Sequence, residues 1–145
     1  MPLLAGERLT AAKLNRLQPT TYDAVASSAL TGPQTNTDVP GATITLITET
    51  DNAIATVDAT FDFDPTGAVG GLSSGRLWVD GVAVGLFAVF QAGPGVSGDR
   101  GTHSQSYRVS LGTAGSHTLK LATTLATGVN LNLYTGLVVT IYEVV

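Results

Sequence analysis

The stretch Ala53-Ile54-Ala55-Thr56-Val57-Asp58-Ala59-Thr60-Phe61-Asp62-Phe63-Asp64 decides the reading of this chain. Ala53, Ala55, Val57, Ala59, Phe61 and Phe63 fall on one side, and Thr56, Asp58, Thr60, Asp62 and Asp64 on the other. Successive side chains of a strand point to opposite faces, so a period of two reads as a strand with one buried face and one wet face. Asp58, Asp62 and Asp64 are numerous enough to suggest the paired carboxylates of a glycosidase, but their regular alternation fits a solvated strand face better.

Downstream, the same signal recurs. Arg76-Leu77-Trp78-Val79-Asp80-Gly81-Val82-Ala83-Val84 places Asp-Gly between apolar alternations, the mark of a two-residue hairpin. Leu86–Gln91 reads as a more continuous apolar strand, followed by a loop over Gly93–Gly101. Tyr107, Val109 and Leu111 alternate with Ser106, Arg108 and Ser110. Gly112-Thr113-Ala114-Gly115 makes a turn, after which His117, Leu119 and Leu121 alternate with Thr118 and Lys120. Asn130–Tyr134 and Leu137–Val145 complete a set of about eight strands with no helix between them, spaced as in an antiparallel β-sandwich.

The stretch Leu137–Val145 departs from the one-wet-face rule. Leu137, Val139 and Ile141 point one way and Val138, Tyr142 and Val144 the other, so both faces are apolar. A strand covered on one side only is polar on its second side, which predicts that another subunit covers Val138, Tyr142 and Val144. Trp78, on the face opposite Leu77 and Val79, joins them as an interface residue, with a core position or a sugar-stacking platform as its other readings.

Upstream, the composition changes. Residues 19–41 hold Pro19, Pro33 and Pro40 among Thr, Ser, Asn and Gly, and read as a linker or outer loop with a short strand near Tyr22–Ala26. The β domain then occupies residues 42–145, and residues 1–18 form an arm. Within the arm, Leu9–Leu17 reads as a short helix with Thr10 as its N-cap, a staple between Leu9 and Leu14, and Pro19 as its stop. About two turns of helix do not hold their shape alone in water. Leu4, Leu9, Leu14 and Leu17 therefore need a surface to cover, on this domain or on a partner.

Composition narrows the function. The net charge over the 145 residues is −4, and the seven basic residues, Arg8, Lys13, Arg16, Arg76, Arg100, Arg108 and Lys120, are scattered rather than gathered in a phosphate-gripping stripe, which predicts no nucleic-acid partner. The absence of cysteine removes disulfides and thiolate metal sites. No stretch is apolar enough for a bilayer span and the start is no signal peptide, so no membrane partner is expected, and the protein is expected to be made in the cytoplasm.

Chemistry is sparse. His103, in Gly101-Thr102-His103-Ser104-Gln105-Ser106, reads as a surface-loop histidine; His117, in phase with Leu119 and Leu121, as an inward, hydrogen-bonded structural one. Asp62-Phe63-Asp64-Pro65-Thr66-Gly67 imitates the start of a calcium loop, but Ser73 stands where the closing Glu belongs, so a strand end and turn is the better reading. With no nucleophile elbow, phosphate loop or zinc-helix motif, the expectation is a protein without catalytic residues, metal or cofactor.

Two segments resemble known families. Ala5-Gly6-Glu7-Arg8-Leu9-Thr10-Ala11-Ala12-Lys13-Leu14-Asn15-Arg16-Leu17 resembles the opening of small structural proteins of tailed bacteriophages. Leu111–Leu121 and Val138–Val144 resemble the closing strands of phage jelly rolls related to the tumour-necrosis-factor and complement-type trimer fold. The resemblance implies a jelly-roll sandwich, a homotrimer, and a place on the virion. The expected function is a capsid decoration (cement) protein, assembled in the host cytoplasm and bound to the major capsid protein or another virion protein. The alternative is a tail-tip or fibre head that binds a host receptor or glycan; loops of mostly Gly, Ser and Thr weigh against it.

Overall fold

The computed structural model describes residues 10–67, 71–91 and 100–143. They form one helix, α1 (Ala11–Arg16), and ten strands: β1 (Thr20–Val25), β2 (Leu30–Thr31), β3 (Gln34–Thr48), β4 (Ile54–Pro65), β5 (Ser73–Val79), β6 (Val82–Phe90), β7 (Gly101–Ser110), β8 (Gly115–Leu125), β9 (Val129–Leu131) and β10 (Gly136–Tyr142). Two antiparallel sheets pack as a jelly-roll sandwich. The first runs β1-β10-β4-β9-β2, with β7 on the free side of β4; the second runs β3-β8-β5-β6.

The stretch that decided the fold becomes β4, the spine of the first sheet. Ala55, Val57, Ala59, Phe61 and Phe63 are all buried there, as the alternation predicts. They meet Leu77, Leu119, Leu121, Leu131, Leu137 and Val139 from the surrounding strands. Full burial of such side chains contributes about 1.5–3 kcal/mol each, which offsets the ordering of the chain. Phe61 is pressed on the backbone of Gly75, where an added Cβ would lie 2.2 Å from the ring.

The Asp80-Gly81 hairpin is present. Val79 pairs with Val82, and the two turn residues have φ of 50° and 80°, the left-handed pair that a type I′ turn requires. Beyond it, the two apolar stretches separated in the sequence reading are one strand, β6, interrupted by a bulge. Leu77 pairs with Val84 but Gly75 with Ala88, so Gly85, Leu86 and Phe87 stand opposite the single residue Arg76 and β6 carries two residues in excess. Gly85 has φ 67°, and an added Cβ would lie 2.5 Å from the Tyr107 ring, whose hydroxyl donates to the Leu86 carbonyl at 3.0 Å.

Several expectations need correction. Ten strands replace about eight. Residues 19–41 are not a separate linker: β1 zips along β10 from Thr20↔Ile141 to Val25↔Gly136, β2 pairs with β9, and β3 begins at Gln34. His103 is not in a loop; it lies on β7, and its ring stands edge-on to Phe63 and Phe90 at 5.9 and 5.5 Å. Asp62 does not share the wet face of β4: it is fully buried and held by Arg100 in a two-pronged ion pair of 2.8 and 2.5 Å. The strand expected over Asn130–Tyr134 ends at Leu131, and a turn over 132–135 carries Tyr134 into solvent.

Candidate interaction surfaces

The sandwich leaves its outer faces and free edges to meet other molecules. On the outer face of the first sheet, the registers lay out rows across β1, β10, β4 and β7. One row runs Asp23–Val138–Asp58–Ser106 and the next Thr21–Thr140–Thr56–Arg108. Val138 and Tyr142 point outward from β10 and remain 45% and 46% exposed, so one copy of the chain covers only the inner side of this strand. Val25 and Tyr134 add to the same surface, and with Asp23, Asp58 and Val138 they line a shallow groove of about 540 Å³. Val144, the third outward residue expected on this strand, lies outside the described residues.

Trp78 is on neither this face nor its edge. It sits half-buried on the outer face of the second sheet, across from Lys120 and Ala83, where Lys120 is paired with Asp38 at 2.7 Å. The structure therefore brings Val138 and Tyr142 together and separates Trp78 from them.

At one end of the sandwich, α1 begins with the Leu14 N–H donating to the Thr10 carbonyl at 3.0 Å, which makes Thr10 the cap residue. Ala12, Asn15 and Gln18 face Tyr22, Ile47 and Ile141 across a cleft of about 420 Å³. Leu14 and Leu17 turn away and are 47% and 51% exposed. Leu4 and Leu9 lie outside the described residues.

A third apolar region was not singled out from the sequence. Strand β6 is a sheet edge, carries no charged residue, and exposes Val82, Leu86, Phe87 and Val89. Arg76 lies over the Phe87 ring at 4.6 Å and donates to the Val84 carbonyl. Leu86–Phe90 is apolar throughout, so the sequence pattern does not separate its two faces; in the structure Phe87 and Val89 point outward in alternation with buried Ala88 and Phe90.

Several titratable groups are engaged within the fold. His117 is buried, with Nε2 donating to the Thr113 carbonyl at 3.0 Å and Nδ1 2.7 Å from Asp80 Oδ2. Both ring nitrogens are thus engaged within the fold, and neither is left for a substrate. Asp80 also accepts the Thr118 N–H at 2.8 Å. Desolvation acts to raise the Asp80 pKa, but the hydrogen bonds from His117 and Thr118 and the attraction of His117 outweigh it and hold the pKa below its ordinary value. The calcium-like string is spoken for: Asp62 binds Arg100, and Asp64 accepts from Asn132 at 3.0 Å. Among the described residues, no three His, Asp or Glu side chains are grouped to hold a metal ion.

No family model and no curated protein matches the chain. Solved structures do, at the level of fold. Murine APRIL, of tumour-necrosis-factor type, superposes with a TM-score of 0.53 at 11% identity, over 85% of this chain and 98% of that one. Derived T=1 particles of infectious bursal disease virus give 0.50 at 19% identity, over 86% of this chain and 32% of theirs. Latent PorU from Porphyromonas gingivalis gives 0.51 at 14% identity, over 86% of this chain and 13% of its own. The chain thus spans about a third or less of the viral and PorU chains, and shares its jelly roll with both viral capsid and tumour-necrosis-factor-type structures.

Proposed function

We propose that the protein is a virion structural component of a tailed bacteriophage: a trimeric capsid decoration protein that binds the head surface through its N-terminal arm and does no chemistry. The observation that carries this reading is the exposure of Leu14 and Leu17 on a six-residue helix. A helix this short is not self-supporting, and two half-exposed leucines gain about 1 kcal/mol each, half the value of full burial, once a partner covers them. The resemblance of Gly6–Asn15 to phage structural proteins names the kind of partner, the major capsid protein or another virion protein. Trimerisation through the face of Val138 and Tyr142 makes the attachment multivalent, because once one arm is docked the other two bind at high effective concentration.

The test is removal of residues 1–18. The truncated protein keeps its β-sheet circular dichroism and its trimer in light scattering, and fails to bind particles that lack the native protein. Full occupancy by the truncated protein overturns the assignment of the arm, and a monomer from the intact chain overturns the trimer.

A further inference from the structure

Two opposite charges stand without partners at opposite edges of one sheet. Asp23 lies on β1, at one margin of the β1-β10-β4-β7 face, and Arg108 on β7, at the other. Both are exposed, and among the described residues neither side chain makes a hydrogen bond or ion pair. The other described cations behave differently: Arg100 and Lys120 are salt-bridged, and Arg76 is stacked on Phe87. The apolar surface is split in the same way. Val25 lies on the β1 margin with Val138 beside it on β10, and Leu86 and Phe87 lie on the β6 edge next to β7.

We infer that copies of this chain associate head to tail, with the β6–β7 edge of one copy against the β1–β10 margin of the next, and Arg108 of one paired with Asp23 of its neighbour. The inference rests on the trimer proposed above and specifies how it is built. A two-fold contact between β1 margins sets Asp23 against Asp23, and one between β7 edges sets Arg108 against Arg108; both place like charges together. A head-to-tail contact sets acid against base and apolar margin against apolar edge at every junction. The rows agree with a ring. A rotation axis along the strands keeps each row at its height, and the rows of Arg108 and Asp23 are two residues apart, about 7 Å along the strand, within reach of an arginine.

The absence of cysteine makes the contact easy to trap. Asp23→Cys, Arg108→Cys and the double variant are each treated with a short thiol-to-thiol cross-linker and run on denaturing gels. Within one copy the two positions are three strand spacings apart across the sheet and two residues apart along it, about 16 Å, too far for the linker. The expected result is no product from either single variant, and covalent dimers and trimers with nothing larger from the double variant. A charge exchange supplies a second reading: Arg108→Asp weakens the trimer on the order of tenfold or more, and adding Asp23→Arg restores it. Dimers from a single variant, or no product from the double variant while light scattering still shows a trimer, overturn the head-to-tail contact and leave the trimer standing. A monomeric native chain overturns both.

Discussion

Asp80 shows how much one side chain can hold. It lies in the β5–β6 turn, yet its two oxygens reach His117 and the Thr118 amide on β8. Its pKa is depressed in the folded protein, so its contribution to stability is complete above the ordinary value of 3.8 and is lost as the pH falls through the lower folded value. Asp80→Asn should therefore lower the melting temperature at neutral pH and leave a shallower acid limb. A variant with an acid limb parallel to that of the native protein contradicts this. The contribution is modest because Asp80 is exposed and screened. The inward position of His117 was legible from its phase with Leu119 and Leu121, whereas its anchor Asp80, far away in sequence, was not. Asp62 misled for the same reason. Its alternation assigns it to the wet face, and only Arg100, brought over from the start of β7, makes burial tolerable.

At the scale of elements, local chemistry was legible and remote pairing was not. Asp80-Gly81 announces its hairpin because the turn needs residues that accept positive φ. Strand β1 gives only the faint notice of a short strand near Tyr22–Ala26, and β2 gives none. They are short, polar and flanked by prolines, and are strands because β10 and β9 offer them edges from the other end of the sequence. The face of Val138 and Tyr142 was readable from the doubly apolar pattern, while the uniformly apolar Leu86–Phe90 did not show which side of β6 is exposed, and its bulge left no mark on the pattern. That bulge makes a sharp prediction. Gly85→Ala adds a methyl where the backbone is left-handed and the Tyr107 ring is 2.5 Å away. The cost should be about 1–3 kcal/mol in urea unfolding, with Ala83→Gly, two residues away on the same strand, as the comparison for an ordinary strand position. Equal effects from the two substitutions contradict the role given to the bulge.

For the molecule as a whole, the attachment proposed above lets the forces at the arm be separated. Its described apolar residues are Leu14 and Leu17, and its sequence also carries Arg8, Lys13 and Arg16 against Glu7. Exposed ion pairs contribute about 0–1 kcal/mol and are screened within roughly 10 Å at 0.1 M salt, whereas each buried leucine contributes about 1.5–3 kcal/mol. Raising salt to about 1 M should leave most copies on the particle, and Leu14→Asp should release them, as counted by sedimentation of particles with bound protein. Release by moderate salt with retention of Leu14→Asp assigns the grip to the charges instead. The pairing of β1 with β10 adds a constraint in time. The segment that follows the arm finds its sheet partner in a strand near residue 140, so during synthesis the arm's base lacks that pairing until nearly the whole described chain has left the ribosome. A half-made copy therefore cannot hold the helix that precedes β1 in its finished position, and under the proposed attachment it could not compete with complete copies.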